Sequence, residues 1–144
     1  MAAFEDISKA LMNAMLSNGT INPDTAFGLP VVFENVPYDE TDGANFLACY
    51  LLPAPVLQAT LGDEGCDNHS GIYQIDIHFQ SFTGTNELYA KADEINAVIK
   101  SGSTFTFNGL NVRIENISIS RLNVSDGQAT LNISVEWFAF TMRV

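Results

Sequence analysis

Positive charge is scarce in this 144-residue chain: six Lys and Arg stand against 17 Asp and Glu, a net charge of −11. The six cations, Lys9, Lys91, Lys100, Arg113, Arg121 and Arg143, are scattered. Tight binding to DNA needs clustered cations that displace condensed counterions, so a gripping nucleic-acid contact is not expected. A protein that lies beside DNA without holding it fits this charge, because like charge repels the phosphates. Cysteine and histidine are also rare, two of each, too few for a disulfide framework. Apolar runs fall short of the roughly 20 residues of a membrane span, so no membrane contact is expected. No cationic segment followed by an apolar one opens the sequence, so a secreted context is not expected either. The five N-x-[ST] matches, at Asn18, Asn68, Asn116, Asn123 and Asn132, therefore read as by-products of a sequence rich in Asn and Ser.

What is present suits one globular domain with a sizeable core: 47% of residues are hydrophobic, and there is no repeat, linker or low-complexity tract. Residues 3–17 read as a helix, with Phe4, Ile7, Leu11 and Ala14 or Met15 on one stripe. Glu5 and Asp6 suit its first turn and Asn18-Gly19 its end. A connector (20–29) leads to a short strand, PVVFENVP (30–37), and an acidic loop (38–44). NFLACYLL (45–52) is apolar enough for a strand buried on both faces, and VLQATL (56–61) is a further short strand. GIYQIDIHFQS (71–81) alternates: Tyr73, Ile75, Ile77 and Phe79 on one face, Gln74, Asp76, His78 and Gln80 on the other. A second helix follows over 85–100, with Leu88, Ala92, Ile95 and Ile99 buried, Gly84 or Thr85 at its start and Gly102 at its stop.

The remainder is β. STFTF (103–107) turns at Asn108-Gly109 into 110–124, which turns at SDGQ into 129–143. Asn-Gly and Asp-Gly between β-rich runs mark tight hairpins. Within 112–122 the apolar phase slips, from Val112 and Ile114 to Ile117 and Ile119, as a β-bulge near Asn116 would cause. In the last strand Leu131, Ile133, Val135 and Trp137 share a face, yet Phe138 and Phe140 lie on the other. That end is apolar on both sides, so a helix or another subunit must cover the second face. The expected architecture is a single α+β domain, residues 1–144. Its mixed, mostly antiparallel sheet carries two helices and ends in a three-stranded meander.

The stretch GDEGCDNHSG (62–71) concentrates metal-binding residue types in what reads as a loop. Cys66-x-x-His69 could supply two zinc ligands, but a site needs three or four, and His78 lies nine residues further along an extended strand. Asp63, Glu64 and Asp67 do not follow a calcium-loop pattern. They would also raise the pKa of a Cys66 thiol and oppose its use as a nucleophile. Asp76 and Glu136 sit on polar strand faces, which suits a solvated or intersubunit face better than a catalytic pair. No metal, cofactor or catalytic residue is expected; the loop reads as a carrier of contacts.

The order of pieces resembles the tail terminator (tail completion) proteins of long-tailed bacteriophages. The resemblance rests on Pro30, Phe33, Asn35, Val36 and Pro37, then Gly71, Ile72, Gln74, Ile75, Asp76 and Ile77, then Gly84, Ala92, Asp93 and Ile95. It implies a structural virion protein rather than an enzyme: a ring, usually of six copies, that caps the head-proximal end of the tail tube. The implied partners are further copies of the chain, the tail tube protein and the head–neck connector or stopper protein, with DNA passing through the lumen unbound. The candidate subunit or partner interface comprises Asp63, Glu64, Asp67 and His69 with Phe138 and Phe140. Two other readings stay open at this level: another head–tail joining or tail tube protein, and a small metal- or thiol-dependent enzyme built on 62–71.

Overall fold

The computed structural model describes residues 3–16, 25–26, 29–33, 45–62, 64–80, 86–120, 122–125 and 128–142. The signals proposed at Asn18-Gly19, 34–44, Gly84 or Thr85, and the Asp126-Gly127 turn lie outside them, as does Asp63. Among the described residues there are two helices, α1 (Ala3–Leu16) and α2 (Asn86–Val98). Nine strands accompany them: β1 (Thr25–Ala26), β2 (Leu29–Phe33), β3 (Phe46–Pro53), β4 (Leu57–Gln58), β5 (Cys66–Gln80), β6 (Thr104–Phe107), β7 (Leu110–Ile119), β8 (Asn123–Ser125) and β9 (Gln128–Met142). They form one sheet in the order β1-β2-β3-β5-β9-β7-β6, with β4 continuing the line of β3 along β5 and β8 pairing β9. Among the described residues only β2 and β3 pair in parallel. The α+β class and the C-terminal meander are as expected.

The spine is the antiparallel pair β5 and β9, each 15 residues long and in continuous register from Cys66↔Met142 to Gln80↔Gln128. At strand rise each spans roughly 50 Å. Period-2 patterning sends odd-numbered residues of both strands to one face, because directly opposed residues share a face. Tyr73, Ile75, Ile77 and Phe79 there meet Val135, Ile133, Leu131 and Ala129, all buried. Leu47 and Cys49 of β3 and Leu110, Val112 and Ile114 of β7 extend the same face. Ile7, Leu11 and Met15 of α1 and Leu88, Ala92 and Ile95 of α2 belong to that same core cluster. Both helices therefore cover one face, and burying each Ile, Leu or Met side chain there contributes roughly 1.5–3 kcal/mol.

Several expectations change. Phe4 is 51% exposed and off the α1 stripe, which runs through Ile7, Ala10, Leu11, Ala14 and Met15. The expected connector contains β1, and 56–61 shortens to the two residues of β4. The β3 strand is buried on both faces only through Cys49; beyond it Tyr50 and Leu52 are exposed on the face the helices do not cover. The stretch 110–124 is two strands, because β7 leaves its ladder after Ile119 and pairing resumes at Asn123. The bulge falls where the apolar phase slips: Ile114 faces Trp137 and Asn116 faces Glu136, leaving Glu115 as the extra residue. It keeps Ile117, opposite Val135, on the core face. Asn108 and Gly109, with φ of 51° and 80°, make the β6–β7 turn with the two positive-φ positions such a turn requires.

Candidate interaction surface

Of residues 62–71, Cys66 onward is not loop but β5. That overturns the loop reading, and the reason is pairing. Cys66, Asp67, Asn68 and His69 sit opposite Met142, Thr141, Phe140 and Ala139, so the polar stretch is ordered by the long β9. In a strand, residues three apart point to opposite faces. Cys66 and His69 therefore do not converge, and His78, nine residues from His69, lies on the opposite face from it. No grouping of three or more metal-binding side chains occurs among the described residues.

The six candidate interface residues separate in the same way. Glu64 is exposed in the β4–β5 loop and Asp67 is half-buried. His69 is buried on the helix-covered face, where its ring meets the edge of Phe4 at 5.3 Å between centroids. Its Nδ1 is buried without a hydrogen-bond partner. Phe138 and Phe140 lie on the other face, ring to ring at 5.7 Å in an edge-to-face pair. The geometry thus makes two surfaces of what the sequence grouped as one.

The second face has an internal order that strand parity makes readable. At one end Phe46 stacks on His78 at 4.5 Å, and the Thr130 hydroxyl lies 3.2 Å from His78 Nδ1. The middle is polar: Gln74 Nε2 donates to Asp76 Oδ1 at 2.9 Å, and Asp76, 9% exposed, faces Asn132. The other end is apolar. Leu57 (60% exposed), Phe138, Phe140 (55%) and Met142 (61%) gather there around Asn68, which lies between Leu57 and Phe140 in register. Arg113 stands directly across from Phe138. Between the polar middle and this end, Ala54, Ser70, Gly71, Ile72, Glu115, Glu136 and Trp137 line a cavity of about 250 Å³. Sequence reading found Phe138 and Phe140 through their parity. It missed Leu57 and Met142, because register alone brings them alongside.

The described helices do not cover this apolar end, and the arrangement contains no assembled nucleophile, base or ligand set. The comparisons identify the setting. The family model for phage tail terminator proteins matches residues 6–137. The chain belongs to the phage tail terminator family. A solved protein structure 20% identical in sequence matches with a TM-score of 0.73 over 92% of each chain, which shows a shared fold. Among curated proteins nothing matches.

Tail terminators are structural proteins of the phage tail, so the role of this chain is structural and its place is the virion tail. No helix among the described residues is long and apolar enough to cross a membrane. The motif residues that carried the resemblance have physical roles here. Ile75, Ile77, Ala92 and Ile95 are core, Gln74 and Asp76 are hydrogen-bonded, and Gly71 permits a close strand approach. Asn35, Val36, Pro37 and Gly84 lie outside the described residues.

Proposed function

We propose that this terminator assembles as a closed ring, six-fold, on the head-proximal end of the tail tube, where it ends tube polymerisation and presents a surface to the head–neck connector. Family membership supports the tail role. The observation that supports assembly is the apolar end of the second sheet face, with Leu57, Phe140 and Met142 each more than half exposed. A lone chain gains nothing from holding such a patch in water, whereas a contact between subunits buries it. Heterologous contacts that close on themselves give a ring without growing into a fibre. The net charge of −11 suits a lumen through which DNA passes unheld. Assembly takes place in the host cytoplasm before the ring becomes part of the virion.

Mixing purified protein with the cognate tail tube under the electron microscope tests this. A ring at one end of each tube, with elongation stopped, is expected. A preformed ring has a mass of roughly 94 kDa, six times the 15.7 kDa chain. Incorporation along the tube with continued growth would instead identify a tube protein and overturn the proposal.

A further inference from the structure

The loop joining β4 to β5 is tied down on itself. The amides of Ala59 and Thr60 both donate to the Cys66 carbonyl, at 2.9 and 3.1 Å, and the Cys66 amide donates to the Thr60 hydroxyl at 2.6 Å. Gly65 N–H closes the tip onto the Gly62 carbonyl at 3.2 Å. At this tip Leu61 is 89% exposed, the highest value of any large hydrophobic among the described residues. Glu64, also exposed, stands beside it. A well-fastened loop that holds a leucine in water does nothing for the stability of its own chain; the side chain is available for burial by a partner.

The same chain carries a matching acceptor. The apolar end formed by Leu57, Phe138, Phe140 and Met142 is open, and Leu61, at its exposure, does not fill the patch of its own chain. Arg113, directly across from Phe138, forms no ion pair among the described residues. Glu136, two residues before Phe138 on the same face, places an acid near the patch as well. The knob thus has an acid beside it, and the patch edge carries one base, Arg113, together with the acid Glu136. Pairing Glu64 with Arg113 offsets, at that one point, part of the repulsion between chains of charge −11.

We infer that Leu61 of one copy docks on the Phe138–Phe140 patch of the next, with Glu64 paired to the neighbour's Arg113. This inference rests on the ring proposal and specifies its subunit contact. Repeated in one direction from each copy to the next, knob into patch, such a contact is heterologous, the kind that builds a ring.

The test compares wild type, Leu61→Asp, Arg113→Glu and the charge swap Glu64→Arg/Arg113→Glu, by mass distribution in solution and by imaging on tail tubes. Leu61 and Glu64 are exposed, so these variants should melt as wild type does. Leu61→Asp is expected to raise the concentration needed for ring formation at least tenfold, the factor that about 1.4 kcal/mol per contact produces. Arg113→Glu is expected to weaken assembly, and the charge swap to restore it. Wild-type rings that Leu61→Asp leaves intact overturn this contact alone. So does assembly of Arg113→Glu at the wild-type concentration, or failure of the swap to rescue it. Leu61→Asp rings that no longer seat on tubes assign the knob to the tube protein and also overturn the contact. A wild-type chain that forms no ring, on or off the tube, overturns the ring proposal itself.

Discussion

Gly71 and Trp137 face each other across the β5–β9 ladder, and the space between them has no room for a side chain at 71. A Cβ there would lie 3.0 Å from Trp137 Cζ2, 2.9 Å from Pro53 Cα and 2.4 Å from the Leu52 carbonyl oxygen. Two of these three atoms belong to the β3 backbone, which cannot swing aside as a flexible side chain can. Trp137 is itself 1% exposed and packed in the core. Gly71→Ala is therefore expected to destabilise the chain by about 1–3 kcal/mol through overpacking. The urea midpoint should fall with an unchanged slope. A wild-type midpoint would show that β3 separates from β5 here at no cost.

The bulge makes a different prediction. Glu115 is the unpaired residue between Ile114, opposite Trp137, and Asn116, opposite Glu136. Deleting it leaves every described pair on both sides in place and converts the bulge into regular ladder. The deletion is expected to fold and to lie within about 2 kcal/mol of wild type, within the range of ordinary single changes. Deleting Asn111 in the same strand would instead move one flank of β7 to the wrong face. Circular dichroism melts of the two deletions decide the matter: equal losses would remove this account of the bulge.

Cys49 sets an alkaline limit on stability. Burial pushes its thiol up to about 12 from the usual 9.0; Tyr73 beside it acts in the opposite direction, and the Asp76 charge adds to the rise. The folded chain thus keeps this proton at pH values where the unfolded chain has lost it. Its contribution to stability is fully present below about pH 9 and falls as pH rises towards 12, by at most about 1.4 kcal/mol per pH unit. Urea midpoints from pH 8 to 11 should therefore decline less steeply for Cys49→Ala than for wild type, although the substitution costs stability at pH 8. Parallel slopes would mean that Cys49 ionises as freely in the folded chain as in the unfolded one.

The sequence was informative where local chemistry decides structure and uninformative where pairing does. Asn108-Gly109 announced its turn because few residues adopt positive φ, and the switch from Ile114 to Ile117 announced a bulge because parity must be conserved. The stripes of α1 and α2 were legible from Ile7, Leu11, Leu88 and Ile95. Residues 66–70 were not legible as a strand: Cys66, Asp67, Asn68, His69 and Ser70 have weak β-propensity, and their order comes from β9 alongside them. That one error also merged His69 with Phe138 and Phe140, which the strand places on opposite faces. Leu57 joined the surface only through its register with Asn68, and no local pattern encodes a register.

Asn68 is where folding and assembly make separate demands. Its Oδ1 is buried with no hydrogen-bond partner, between Leu57 and Phe140 in the apolar end of the second face. A desolvated acceptor without a partner costs about 1–3 kcal/mol, and Asn is a poor strand residue. Asn68→Val removes the orphan oxygen and adds a β-branched side chain among apolar neighbours. It is expected to stabilise the isolated chain by about 1 kcal/mol, which for a chain of this size raises the melting temperature by a few degrees. A lower melting temperature would show that the amide is satisfied in the folded chain and sink the idea. Ring formation by the same variant then reports separately on the patch. Assembly at or below the wild-type concentration is expected, because the change adds apolar surface where Leu61 is inferred to dock. Loss of assembly with the gain in stability intact would mean that the patch requires the asparagine, and that its cost to the single chain is met only in the ring.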